Sequence, residues 1–326
     1  MTLVLTRSDV SRLLPMGDCI DAVEAALRAE AEERTLPSRV LGLHGPAGGL
    51  HVKAAGLWRD SLYLAAKVNA NFPGNPARGL PTIQGLVALT SGEDGRLLAI
   101  LDSMELTALR TGAATGVAAK YLARAGAATL AVCGCGVQAS HQVRAIAAVR
   151  AIRRVVACDA DRRRAEAWAS RLRGESGLVV EVVDDAGAAA RGADVVVTCT
   201  PSRQPILGPD DVTAGAFVAG VGADHPEKQE LDPRLLARAR LVVDSLEQAA
   251  TIGDTHHALA AGVLSREDVS AELWEVVCGR KPGRSTDDEV VVFDSTGVAL
   301  EDVAAAALAY ERALAAGLGR RIDLGS

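Results

Sequence analysis

The sequence predicts an α/β chain of two parts, a parallel-sheet domain in its middle and an α+β domain lying largely ahead of it. Three observations carry this prediction. Apolar runs alternate with helical stretches through the middle third, as in sheets buried on both faces by crossover helices. One of those runs leads straight into a glycine loop, Cys133-Gly134-Cys135-Gly136-Val137-Gln138-Ala139. The first third instead shows short apolar segments punctuated by Gly and Pro, the pattern of an antiparallel sheet.

Composition narrows the class. The 326 residues suffice for two domains at about 100–200 residues each. Hydrophobic residues make up 49% but aromatics only 3%, so the core must be built from Ala, Val and Leu. The net charge of −6 comes with no strongly basic segment. This argues against nucleic-acid or anionic-membrane partners, which need clustered Lys and Arg. There is no uncharged apolar run of membrane-spanning length, and the amino-terminal segment lacks the basic and small-residue features of a signal peptide. A cytoplasmic protein is expected. The cysteines at 19, 133, 135, 158, 199 and 278 lack zinc spacing and read as reduced thiols.

Along the chain, residues 17–34 carry Ile20, Val23 and Leu27 at helical spacing. Strands are expected at Val40–Leu43, Leu50–Ala54, Leu62–Val68, Gly85–Leu89 and Leu97–Leu101, and a helix of small residues over 104–123. From there the alternation begins: strand Thr129–Cys133, helix 137–149, strand Arg154–Cys158, helix 161–173, strand Val179–Val183, helix 185–191, strand Val195–Cys199. Phe217–Val221 and Leu241–Asp244 continue the series, and Gly297–Leu318 reads as a last helix. The change of character near residue 123 marks a domain boundary without a flexible tether.

The glycine loop has the strand-before, helix-after setting of a dinucleotide site. Gly134 makes the tight turn, Gly136 lets the backbone approach a pyrophosphate, and Ala139 allows close helix–strand packing. The pyrophosphate then sits on the free N–H groups at the helix N-terminus. Asp159 ends the next strand, about 20 residues on, where a carboxylate bonds the ribose hydroxyls. That carboxylate repels a 2′-phosphate and favours NAD; Arg162, Arg163 and Arg164 offer the alternative of NADP.

Charged residues in apolar settings point to the reaction. Arg39 follows Pro37 at a strand start, Lys67 sits in an apolar strand, and Arg110 lies in the small-residue helix. Three such cations suggest a carboxylate clamp; the alternative for each is a solvated or internally salt-bridged side chain. Asp224 follows the apolar segment Ala216–Val221, at the carboxyl end of a strand, where ligands of open α/β sheets bind. A carboxylate there serves as general acid/base, or caps a turn. His225 reads as a turn residue. The neighbours His256 and His257 diverge on a helix, so no metal site is expected.

These residues resemble the ornithine cyclodeaminase/μ-crystallin family over nearly the whole length. The resemblance rests on Lys67–Pro76, Gly79–Gly85, Leu106–Thr115, Gly134–Ala139, Val221–Asp224 and Phe293–Asp302. It implies a Rossmann dinucleotide-binding domain over 123–299. It also implies a discontinuous α+β substrate and dimerisation domain from 1–122 and 300–326, in a homodimer. Carried over position by position, Arg39, Lys67 and Arg110 look like carboxylate ligands and Asp224 like the acid/base. Thr82 resembles a residue closing the site. Gly134, Gly136, Val137, Gln138 and Asp159 look like dinucleotide contacts, joined by Thr111 at the phosphates and by Val221 and Ser295 beside the nicotinamide. In one respect the chain departs from the family. Many members carry Met-Pro in the strand before the lysine, where this chain has Leu50-His51-Val52-Lys53-Ala54-Ala55-Gly56. Either Lys53 faces the pocket, accepting a second carboxylate and repelling a side-chain ammonium, or it points to solvent on an edge strand.

The resemblance implies chemistry at the Cα of a small L-amino acid. The first expectation is a cyclodeaminase, in which hydride abstraction, ring closure with loss of ammonia and hydride return follow one another, closure being favoured because it is intramolecular. The alternatives are an amino-acid dehydrogenase or cyclic imine reductase, and a non-catalytic ligand-binding protein.

Overall fold

The structure, a computed structural model, describes residues 1–325 and divides into two compact units, Met1–Arg110 with Val298–Ser326, and Thr111–Gly297. The break falls between Arg110 and Thr111, inside a helix, rather than at the end of that helix as the sequence suggests.

The first unit begins with β1 (Thr2–Leu5), α1 (Arg7–Leu13) and α2 (Met16–Ala31). Thr6 caps α1 through a capping box with Asp9, which satisfies two otherwise orphaned N–H groups. Then come β2 (Thr35–Gly45), β3 (Gly48–Trp58), β4 (Leu62–Asn71), β5 (Ile83–Ser91) and β6 (Leu97–Asp102). The last four junctions in this run are antiparallel, and β1 joins β6 in parallel. The order across the sheet is β1-β6-β5-β4-β3-β2. The strands are longer than the apolar runs that announce them, because their ends carry polar residues on one face. Helix α3 (Ser103–Leu122) leaves this unit.

The second unit is the doubly wound part. In chain order it holds β7 (Thr129–Cys133), α4 (Val137–Val149), β8 (Arg154–Cys158), α5 (Arg162–Ser176), β9 (Val179–Val182), α6 (Ala186–Ala190), β10 (Val195–Thr198), β11 (Arg203–Leu207), β12 (Phe217–Gly220) and β13 (Gln229–Leu231). It ends with α7 (Pro233–Arg238), β14 (Arg240–Val243), α8 (Leu246–Ala249), α9 (Gly253–Ala260), β15 (Ala271–Glu272), α10 (Leu273–Val277) and β16 (Val291–Asp294). Among the described residues the main sheet is parallel throughout, in the order β15-β14-β16-β12-β10-β7-β8-β9. Its strands are almost wholly buried, which explains their unbroken Val/Ala runs. The order reverses at β7, between β8 and β10. The carboxyl ends there form the crevice in which such sheets bind ligands. The strand β16, not anticipated from the sequence, lies between β12 and β14, in the sheet's interior.

The chain then returns to the first unit with α11 (Ala299–Ala316) and β17 (Arg320–Ile322). Helix α11 packs on α2 and across β3 and β4, and β17 pairs antiparallel with β1. Gly317, with φ +65°, ends α11 in the left-handed conformation that favours glycine.

Candidate active site

In the second unit the glycine loop sits at the β7 switch point. Gly134 has φ +100°, and a Cβ there would lie 2.8 Å from Thr200 Cγ2 and 2.9 Å from the Cys199 carbonyl oxygen. Only glycine meets both demands. Gly136 is exposed, begins α4 with no side-chain cap, and has open space around its Cα. The first N–H groups of α4 are thus available to an anion. Val137 is exposed and Gln138 half-buried beside them. Asp159 is held against the loop: its carboxylate accepts the Cys135 N–H at 2.8 Å and the Asp161 N–H at 2.9 Å. Of the arginines that follow, Arg162 is drawn to Glu166 and Asp184. Ser295, Val221 and Thr111 are all buried, and Ser295 Oγ has no hydrogen-bond partner. A turn only glycine can make, an uncapped helix start and an orphaned hydroxyl fit a dinucleotide. Asp224 is exposed and pairs with Lys228, one helical turn on in sequence. His225 Nδ1 accepts the Glu227 N–H at 3.2 Å, within a turn.

Behind these strand ends lies a set of buried carboxylates that the sequence reading missed. Glu230 accepts hydrogen bonds from Thr198, Thr200 and Gly222. Asp244 accepts from the backbone of Thr296 and Gly297. Asp254 and Asp294 influence one another, and burial pushes the Asp294 carboxyl up to about 7. Among the described residues no group of His, Cys, Asp or Glu is arranged to hold a metal.

In the first unit two buried cations, Lys67 of β4 and Arg110 of α3, meet the acids of α11. Lys67 is buried and its ammonium contacts both carboxylate oxygens of Asp302, at 2.9 and 2.8 Å. Arg110, also buried, places Nε 2.9 Å from Asp302 Oδ1 and Nη1 on Glu301. Both cations are therefore internally salt-bridged, an alternative left open by the sequence, while remaining grouped around Asp302. Burial, with Arg110 adding to it, lowers Lys67 to about 7; the same burial opposes ionisation of Asp302, but Arg110 and Lys67 keep it ionised. Glu301 and Asp302 had one visible signal, a pair of acids opening an otherwise apolar helix.

Lys53 is not on an edge strand. It stands on β3, directly opposite Lys67 of β4, so the two side chains share a face. It is half-buried, and its charge lowers both Lys67 and Asp302. His51, two residues earlier on the same face, meets His44 edge-on at 4.9 Å. Arg39 departs from the expected clamp. Its register partner is Ala54, one position out of the Lys53–Lys67 row, so strand alternation turns it to the other face, where it is exposed. Thr82 is half-buried just before β5, its carbonyl accepting the Phe72 N–H at 2.8 Å.

A family model described as the ornithine cyclodeaminase/mu-crystallin family matches residues 1–317. The chain belongs to that family. Among the family's curated members, the chain is 41% identical over 322 residues to an alanine dehydrogenase of Archaeoglobus fulgidus, covering 98% of each chain. Its structure is similar to that of an archaeal alanine dehydrogenase dimer with bound NAD, with TM-score 0.94 and 40% identity over 99% of both chains. It is likewise similar to Thermococcus litoralis Delta(1)-pyrroline-2-carboxylate reductase in complex with NADH and L-proline. There the TM-score is 0.94 and the identity 32%, over 98% of this chain and all of that one. No helix among the described residues is long and apolar enough to cross a membrane.

Proposed function

We propose that this family member is an NAD-dependent amino-acid dehydrogenase or imine reductase, interconverting a small L-amino acid and its imine by hydride transfer at Cα. The observation that carries the choice is Lys53, opposite Lys67 on one sheet face. A cyclodeaminase, the first expectation from sequence, needs a substrate with a free side-chain amine. At neutral pH that amine is an ammonium, which Lys53 repels. Similarity to an alanine dehydrogenase and a pyrroline-2-carboxylate reductase supports the same choice.

The roles suggested by the family resemblance are supported by the geometry in part, as follows. Gly134, Gly136 and the first turn of α4, with Val137 and Gln138, would hold the pyrophosphate, and Asp159 the ribose. Thr111 would face the phosphates, and Val221 and Ser295 the nicotinamide. When bound, NAD supplies the acceptor for the Cα hydride. Asp159 repels a 2′-phosphate, and Arg162 is occupied by Glu166 and Asp184, which supports NAD over NADP. Lys67 and Arg110, with the added charge of Lys53, bind the substrate carboxylate; Thr82 closes over it. Asp224 takes the proton that the amine gives up as the imine forms, releasing Lys228 to do so, and returns it in the reverse direction. The chain also associates with a second copy. Leu41, Leu43 and Leu86 stand exposed on the sheet face opposite Lys67, an apolar surface of the kind that marks an interface.

The test is an assay of L-alanine, L-proline, their imines and L-ornithine with NAD and NADH, following NADH absorbance and ammonia together. Net formation or consumption of NADH is expected. Ammonia from L-ornithine with no net change in NADH would restore the cyclodeaminase. Asp224→Asn should lower turnover by about 10²–10⁴-fold while leaving stability within about 0.5 kcal/mol, since the side chain is exposed.

A further inference from the structure

We infer that Glu230 is a positioning residue, a buried carboxylate that locks the backbone leading to Asp224 onto the backbone that floors the glycine loop. The inference rests on the roles proposed above for Asp224 and the loop.

Glu230 lies on β13 and is fully buried. Its Oε2 accepts Thr198 Oγ1 at 2.8 Å and the Gly222 N–H at 2.7 Å; its Oε1 accepts the Thr200 N–H at 2.6 Å and Thr200 Oγ1 at 2.7 Å. All four partners donate. Burial raises the carboxyl's pKa and these four bonds oppose the rise, as expected for an anion stabilised by dipoles instead of a counter-ion. The four donors come from two strand ends. Thr198 ends β10 and Thr200 follows two residues later, and Thr200 is the residue whose methyl occupies the space a Gly134 side chain would need. Gly222 follows β12 and precedes Asp224 by two residues, and its carbonyl accepts the Asp224 N–H at 3.1 Å.

The fit at Gly222 is as exacting as at Gly134. A Cβ there would lie 2.2 Å from the Thr200 carbonyl oxygen, 2.6 Å from Thr200 N and 2.7 Å from Glu230 Cδ. Glu230 is itself fixed from behind, since its N–H and that of Leu231 donate to Asp254 Oδ1 at 2.7 and 2.9 Å. One carboxylate therefore ties the floor of the cofactor loop to the turn bearing the acid/base. A neutral amide in its place would aim an NH₂ group at two N–H or O–H donors, and one strand end would move away. Displacements near 1 Å are enough to cost about 10²-fold in rate.

The experiment uses the full chain with Glu230→Gln and Thr200→Val. NADH binding is titrated by fluorescence, and kcat and KM are measured with L-alanine or L-proline, whichever the wild type oxidises faster. The deuterium isotope effect is taken with the same substrate labelled at Cα. Glu230→Gln should bind NADH within about threefold of wild type and keep KM within about threefold, yet lose at least about tenfold in kcat. Its isotope effect should rise, because misplacement slows the chemical step. Thr200→Val, which removes one of the four donors, should lose about two- to fivefold in kcat with the same rise; it carries the test if Glu230→Gln does not fold. A merely structural brace would lower the fraction of NADH-binding protein and leave kcat per binding site and the isotope effect unchanged. That result, in either variant, overturns the inference. A wild type that binds NADH but turns over no amino acid or imine overturns the proposed function instead.

Discussion

In the first unit the buried charges are of both signs, Lys67 and Arg110 against Asp302 and Glu301. In the second they are carboxylates alone, Glu230, Asp244, Asp254 and Asp294, held largely by hydroxyls and backbone N–H groups. The two arrangements solve the same desolvation problem differently. Paired ions depend on one another, so removing one leaves the other stranded. Dipole-held carboxylates can surrender their charge by taking a proton, as the position of Asp294 near 7 indicates, whereas in the paired set Lys67 is the member that gives up charge, by losing one. In the first group Lys53 stands beside the paired ions, directly across from Lys67. The second fixes backbone.

The contrast can be broken most forcefully at Asp302. Asp302→Ala leaves Lys67 and Arg110 with Glu301 as the remaining anion of the set. It should cost about 3–5 kcal/mol of stability, read as a lowered denaturant midpoint; a loss below about 1 kcal/mol would mean that the ion set contributes little. Asp294→Asn probes the other group. The folded carboxyl titrates near 7 against 3.8 when unperturbed, so between about pH 4 and pH 7 the folded state holds more protons than the unfolded one. Wild-type stability should therefore fall as pH rises through that window. The variant cannot ionise; it should lose this slope and be more stable than wild type at pH 8 by about 1–3 kcal/mol. Urea midpoints at pH 5 and pH 8 decide it, an unchanged slope counting against the account. The smallest effect is expected at Lys67. Its charge is lost as pH rises through about 7, so substrate KM should climb above that pH by up to about tenfold. Lys67→Arg stays charged and should give a KM independent of pH from 6 to 9.

Much of the second unit was legible in the sequence because each layer there leaves a local mark. Thr129–Cys133, Val137–Val149 and Arg154–Cys158 begin and end where the apolar runs and the glycine turn place them. The strand β16 was not legible. Its apolar stretch of Val and Phe is too short for periodicity to speak, and it follows a polar loop. The short helices α7 to α10 were missed for the same reason. In the first unit the strands could be read but not the facing of their side chains, which depends on register across the sheet. Register alone separates Arg39 from the Lys53–Lys67 row. The ion partners were the least accessible feature, because Lys67 and Asp302 are far apart in sequence and only the folded sheet and α11 bring them together.

That same separation orders events during synthesis. The second unit is one continuous stretch, Thr111–Gly297, whereas the first is closed only by Val298–Ser326. A nascent chain can finish the continuous unit while the sheet that bears Lys67 still lacks the helix carrying its counter-ions. Until the segment from Val298 onward leaves the ribosome, that sheet face is both cationic and apolar, open to chaperones or to aggregation. The segment that carries α11 and β17 therefore acts as a latch on the first unit, and deleting it should reduce soluble yield out of proportion to its length.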